Sequence, residues 1–155
     1  MNYWLMKSEP NEFSIDDLAA KDREPWDGVR NYQARNLLRD QMQPGDLGFF
    51  YHSNCAVPGI VGILRIVQAG YPDPTAFMPG HAHYDPKSDP DKPRWFMVDV
   101  AFVEKFPQVI PLAELKQAAA LSDLPLVKKG NRLSVMPVTA QQWALILQLC
   151  SKTSS

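Results

Sequence analysis

Hydrophobic positions fall into short blocks separated by proline, glycine and acidic residues, and the period inside each block points to its element. Tyr3–Met6 is a continuous apolar run closed by Lys7-Ser8-Glu9-Pro10, which predicts a first strand ending in a proline turn. Ser14 with Asp17 three residues on is a capping-box pair, and the acids there suit the positive end of a short helix. Pro25-Trp26-Asp27-Gly28 reads as a loop. Asn31 reads as the cap of a second helix over Tyr32–Gln41, with Arg35 and Arg39 on one face. Pro44-Gly45-Asp46 turns the chain into a strand at Leu47–His52, and Pro58-Gly59 turns it into another at Ile60–Val67, where β-branched residues dominate.

The clearest strand is Trp95–Lys105. Phe96, Val98, Val100 and Phe102 face one way, and Trp95, Met97, Asp99, Ala101 and Val103 face the other, so both faces are covered and Asp99 interrupts one of them. Leu112–Leu121 predicts a helix with Pro111 at its first turn. Thr139 caps a last helix with Gln142 at the capping-box position and Trp143, Ile146 and Leu147 as its stripe. Tyr71–Arg94 holds six prolines and four aspartates and predicts a long loop of the kind that is functional or mobile. Strands and short helices mix without βαβ alternation, and neither GxGxxG nor GxxxxGK[ST] occurs. The expectation is an α+β domain, a small curved sheet or barrel with helices packed outside.

The 155 residues predict one domain over 1–150 and a disordered tail over 151–155. A hydrophobic content of 45% excludes a disordered chain. Sixteen Lys and Arg against 17 Asp and Glu leave a net charge of −1, which excludes a protein that holds nucleic acid by bulk charge; any anionic partner needs a local patch. Fourteen prolines argue against a long-helix bundle. Cys55 and Cys150 form no framework and suggest a reducing compartment. Lys7 and Glu9 come too early for a signal peptide, and Ile60–Val67 and Trp143–Cys150 are too short for a bilayer span. The expectation is a soluble, cytoplasmic protein; no self-association stripe shows, so a monomer is expected.

Candidate chemistry concentrates in Trp26-Asp27-Gly28-Val29-Arg30-Asn31-Tyr32. A loop with aromatics beside a helix start suits a planar ligand, whose ring stacks while an amide reads its edge. The plainer reading leaves Trp26 plugging the core and Asn31 as a cap. Ser53 and Asn54 follow the strand Phe49–His52 and suit either a base edge or a turn. Trp95 is a possible second aromatic wall or a core residue. Lys7, Arg30, Arg35, Arg39, Lys128, Lys129 and Arg132 make a modest cationic set, compatible with phosphate contacts or with a solvated face. His52-x2-Cys55 and His81-x-His83 supply four potential zinc ligands at spacings that match no common site, and Cys55 near His52 reads as an inert thiol before a nucleophile. Lys7 and Glu9, two apart on a strand, share a face and permit an acid–base pair.

Several of these segments together resemble the EVE domain: Lys7-Ser8-Glu9-Pro10, the block Trp26–Asn36, Phe50-Tyr51-His52-Ser53, Tyr84-Asp85-Pro86 and Trp95–Val100. The resemblance runs from Tyr3 to about Leu149 and is closest to the thymocyte nuclear protein family and its bacterial single-domain counterparts. It implies a PUA-like fold, a twisted small β-barrel flanked by short helices, with kinship to YTH domains that cage a methylated adenine. It implies a non-catalytic reader of a modified base, chiefly modified cytosine, in DNA or RNA; no cofactor or metal is expected. By the same resemblance Trp26 is a wall and Trp95 a second one, and Lys7, Ser8 and Asn31 border the pocket with Lys7 touching phosphate. Ser53 and Asn54 lie near the base edge, and Arg132 holds a basic position near the ligand channel. The residues themselves add Tyr32 as a further ligand contact and Arg30 and Arg35, with Arg132, as phosphate contacts. Two rivals stand beside it: an ASCH-like hydrolase acting on nucleic acid or modified nucleosides, and an adaptor that uses Leu47–His52 as a sheet edge.

Overall fold

The computed structural model describes residues 1–131 and 133–154. Six strands form one twisted, unclosed sheet: β1 (Tyr3–Ser8), β2 (Arg23–Trp26), β3 (Leu47–His52), β4 (Gly59–Pro72), β5 (Phe96–Pro111) and β6 (Val135–Val138), in the order β2-β5-β4-β3-β1-β6. The pair β1–β3 is parallel and every other neighbouring pair is antiparallel. β4 and β5 run 14 and 16 residues, longer than the spacing predicts, and four register shifts between them bend the ribbon into a barrel-like curve. Among the described residues four α-helices flank the sheet: α1 (Ile15–Lys21), α2 (Tyr32–Asn36, continued as a π-helical turn over Leu37–Gln41), α3 (Leu112–Gln117) and α4 (Ala140–Ser154).

The caps read from the sequence form. Ser14 and Asp17 exchange hydrogen bonds across the start of α1, and Thr139 and Gln142 do the same for α4. Asn31 Oδ1 accepts from the Ala34 N–H at the start of α2. Helix α4 runs on through 151–154, most of the stretch read as a tail; Ser155 lies outside the described residues. Leu112–Leu121 is shorter as a helix than its pattern suggests: α3 stops at Gln117, and a 3-10 turn carries Ala119–Leu121.

Apolar runs in β1 and β3 are continuous because both faces of the sheet are covered. Trp4, Met6 and Phe50 join a core with Trp26, Leu38, Leu64 and Val100. Leu5, Phe49 and Tyr51 join a second core with Phe106, Leu115, Trp143 and Ile146. β3 sits between β4 and β1, so the adaptor reading that needs Leu47–His52 as an edge fails: its backbone groups are paired on both sides. The strands at the edges are β2 and β6, which the sequence hides. β2 carries Pro25, which an edge tolerates because its missing N–H has no ladder partner to supply.

Candidate functional site

A recess of about 530 Å³ opens where the ends of β1 and β2 meet the segments that follow them. That volume falls within the roughly 300–1,000 Å³ of small-molecule sites. Trp26 lies on its wall at the last position of β2, paired in register with Val98. Its indole is 7% exposed and packs edge-on against Phe50 (ring centroids 5.3 Å) and Phe13 (6.5 Å), so the core holds the ring while the ring lines the recess. Trp26 thus belongs to the core, as its plainer reading has it, and also faces the recess.

Lys7, Ser8, Ser53 and Arg30 also line the recess. Ser8 Oγ donates to the Phe13 carbonyl at 2.6 Å, and the Ser53 N–H donates to the Ser8 carbonyl at 3.0 Å, which ties the ends of β1 and β3 together beneath the opening. Burial pushes the Lys7 ammonium below its ordinary pKa. Four carboxylates, of Glu9, Glu12, Glu24 and Asp27, face three cations, of Lys7, Lys21 and Arg30, and Lys21 is already paired with Glu24 at 3.0 Å. The Asp27 carboxyl is raised by burial and by the nearby Asp73 charge. The recess therefore offers more acceptors than cations.

Several residues expected at the pocket have other work. Trp95 does not line the recess. Its indole N–H donates to Asp85 at 2.6 Å, its ring stacks on Tyr32 at 4.9 Å, and only 6% of it is exposed. It is the anchor that fastens the Pro- and Asp-rich loop to α2, and it holds the Asp85 carboxyl below its usual range. Tyr32 is the exposed partner of that stack and lies outside the recess lining. Asn31 is the exposed helix cap, and Asn54, in the left-handed region at φ 52°, donates to Glu9 at 2.9 Å beside the rim. The arginines expected near phosphate are engaged too. Arg30 donates to Asp73 (3.0 Å) and twice to the His83 carbonyl (2.6 and 3.1 Å), and Arg35 donates to the Arg94 carbonyl (2.8 Å) and stands over the Tyr32 ring. A long proline-rich loop leaves carbonyls without ladder partners, and forked guanidinium groups satisfy them. Arg132 lies outside the described residues.

The residue that assembles this wall is Asp73, which the sequence marks only as a local cap before Pro74. Its side chain is fully buried and accepts from the Thr75 hydroxyl and N–H, the Gly28 N–H and Arg30. Burial works against its charge, and the donors from Thr75, Gly28 and Arg30 outweigh it, leaving the carboxyl below its ordinary pKa. Gly28 is favoured by its left-handed backbone at φ +79°, and a Cβ there would stand 2.5 Å from the His83 imidazole, which would have to swing aside. Phe13, Glu12 and His83 line the recess without having been singled out for it. For Phe13, the apolar residue just before the Ser14 cap was the available clue.

Asp27, His81 and His83 bring potential metal ligands within 4.8 Å of one another. His81 Nδ1, however, accepts the His83 N–H at 3.0 Å, which places the His81 proton on Nε2 and leaves that ring without a free lone pair. His52 Nε2 accepts the Ile15 N–H at 3.1 Å and so caps α1, and Cys55 is a free thiol.

The EVE domain model matches residues 2–149. Mouse thymocyte nuclear protein 1 is 49% identical over 96% of this chain and 73% of its own length. A crystal structure of a Pseudomonas putida protein superposes at a TM-score of 0.94 with 59% identity, covering 96% of this chain and 99% of that one. The crystal structure of the human THYN1 protein in complex with DNA containing 5-methylcytosine superposes at 0.92 with 46% identity, covering 97% and 98%. An ASCH protein from Zymomonas mobilis shares the fold alone, at a TM-score of 0.56 and 9% identity over 96% and 99%.

Proposed function

Because this chain belongs to the EVE domain family, we propose that it is a non-catalytic reader that holds a modified cytosine, extruded from its strand, in the recess beside Trp26. The observation that carries the reading is the composition of that recess: an indole wall with carboxylates, Asp27 foremost, at its sides. A base is read on all its edges only after leaving the stack. The exocyclic amine of cytosine donates to Asp or Glu, and the surplus of acceptors suits that donor. The human relative solved with 5-methylcytosine DNA, superposing at 0.92, supports the same ligand class here.

Each part of the pocket then has a role. Trp26 supplies the stacking surface, worth roughly 1–3 kcal/mol per base. Asp27 accepts from the amine, Ser8 and Ser53 stand at the opening, and Lys7 marks the side from which the backbone enters. Discriminating one methyl group is worth only about 1–3 kcal/mol, so plain strands bind measurably as well. Titration of single strands with and without 5-methylcytosine, in DNA and RNA form, tests the reading by tryptophan fluorescence. Trp26→Ala is expected to erase the preference for the modified strand; a wild-type protein that binds both strands equally, with affinity indifferent to Trp26→Ala, sinks the proposal.

One observation favours a hydrolase instead. Lys7 and Glu9 both line the recess, and the Lys7 ammonium is held below its ordinary pKa by burial, as a catalytic lysine would be. Incubation with modified nucleosides and oligonucleotides, followed by mass spectrometry, separates the two readings, since a reader returns its ligand unchanged.

A further inference from the structure

A second recess, of about 580 Å³, shares the Lys7 wall with the first and has a different character. Lys7, Lys116, Lys128 and Lys129 line it, with Tyr51 and Asn131, and no carboxylate does. In a chain of net charge −1, four lysines around one recess without an acid are a local concentration of charge. Among the described residues none of the four has an ion-pair partner, although the Lys7 ammonium is half-buried and stands 5.8 Å from the centre of the Tyr51 ring. A half-buried cation without an anion is unfavourable, and a bound anion relieves it.

The lysines stand on a defined frame. Lys7 is the seventh residue of the chain in the rigid β1–β3 pair, opposite Tyr51 in register. Lys128 and Lys129 ride a tight turn in which Lys128 N–H donates to the Pro125 carbonyl, Asn131 N–H to the Lys128 carbonyl and the Asn131 amide to the Pro125 carbonyl, with Gly130 at φ +79°. Lys116 lies at the end of α3, across the groove.

We propose that this lysine groove seats the backbone phosphates of the strand whose modified base occupies the first recess, a proposal that rests on the reader function. The two recesses then divide a nucleotide by chemistry. The acceptor-rich one takes the donor edge of the base, the cationic one takes the phosphates, and Lys7 stands on the border between them. The ligand is the phosphodiester backbone of a strand; the terminal phosphate of a free nucleotide shares its chemistry and is separated from it by the experiment.

The test is binding of a short single strand, methylated or plain, by fluorescence anisotropy between about 50 and 300 mM salt. The variant combines Lys116→Gln, Lys128→Gln and Lys129→Gln. Lys7 is left intact because it also lines the base recess, and Lys105→Gln, removing a cation that pairs with Asp16 elsewhere on the surface, is the control. All three groove lysines are exposed, so the variant is expected to melt like the wild type. The slope of log K against log salt is expected to fall by about 2, at roughly 0.7 per lost phosphate contact. Affinity near 0.15 M salt then falls by tens of fold for both strands together, and the control keeps the wild-type slope. A slope unchanged in the triple variant, or no strand binding even at low salt, overturns the groove. So does a result in which 5-methylcytidine monophosphate, and no strand, depends on the three lysines. Equal binding of methylated and plain strands by the wild type counts against the reader function alone, because the salt slope still reports on the groove.

Discussion

Asp27 shows how much one side chain is asked to do. Its carboxyl is a charged, acceptor-only group while ionised and accepts more weakly once protonated, and burial and the Asp73 charge hold its pKa above the ordinary 3.8. Asp27→Asn keeps the shape and replaces an acceptor by an amide. Affinity for the methylated strand is expected to fall about tenfold at neutral pH, the scale of a hydrogen bond to a charged group. The wild type is expected to lose that advantage as the pH falls through the raised pKa, so that wild type and variant converge in acid; titrations from neutral to acid pH check both. His52 gives a second case. Burial holds its imidazole below the ordinary 6.5, and the neutral ring accepts the Ile15 N–H at 3.1 Å. A folded pKa below the unfolded one means that stability is fully present above about 6.5 and declines as the pH falls through the lower folded value. His52→Ala is expected to lower stability by about 1 kcal/mol at neutral pH and to remove this acid-side decline in urea unfolding curves. The sequence shows His52 and Trp26 as notable residues because their types are scarce. It does not show which atom faces which, since partners such as Ile15 are 37 positions away.

At the scale of elements, the wall of the recess is two loops clamped by one buried carboxylate. Asp73 joins Gly28, Arg30 and Thr75, and Arg30 in turn holds the His83 carbonyl, so the segment after β2 and the loop after β4 form one body. Asp73→Ala leaves Arg30 without its buried partner. It is expected to cost about 3 kcal/mol, read from chemical unfolding, and to weaken binding through the displaced wall. The Asp73 pKa lies below its ordinary value, so its contribution is complete above the unfolded carboxylate range near 3.8 and is lost as the pH falls through the folded value. Asp73→Asn is expected to flatten that acid limb. Local signals predict most elements here: both capping boxes and the Asn31 cap follow from adjacent residues, and β1, β3 and the start of β5 from apolar runs. β2 and β6 are missed because each has four residues and contains a proline, and their pairing is decided by the neighbouring strand. Trp95 and Arg35 lie outside the recess lining, and the sequence hides this for a related reason. An aromatic or a guanidinium reads the same in sequence whether it serves a ligand or a loop carbonyl.

Across the whole molecule, the sheet separates two cores, and only one of them underlies the recess. Trp143 packs on Phe49 at 3.9 Å between ring centroids, in the core with Phe106 and Ile146, whereas Trp26 belongs to the other core. Trp143→Ala is expected to destabilise the fold by about 3–5 kcal/mol while the folded fraction keeps its preference for the methylated strand. Thermal melts and binding ratios measured on the same samples check this dissociation of stability from recognition. By itself the sequence determined the α+β class, the capped helices, most of the strands and the family. Those properties rest on short-range periodicity, on capping chemistry and on an uncommon run of residues over 26–36. Only the tertiary structure decided that Trp95 fastens a loop, that Asp73 builds the wall, and that the lysines of β1, α3 and the turn after Pro125 meet in one groove. Contacts between residues tens of positions apart depend on how strands cross and bend, and strand registers shifted by bulges leave no periodic trace in the chain.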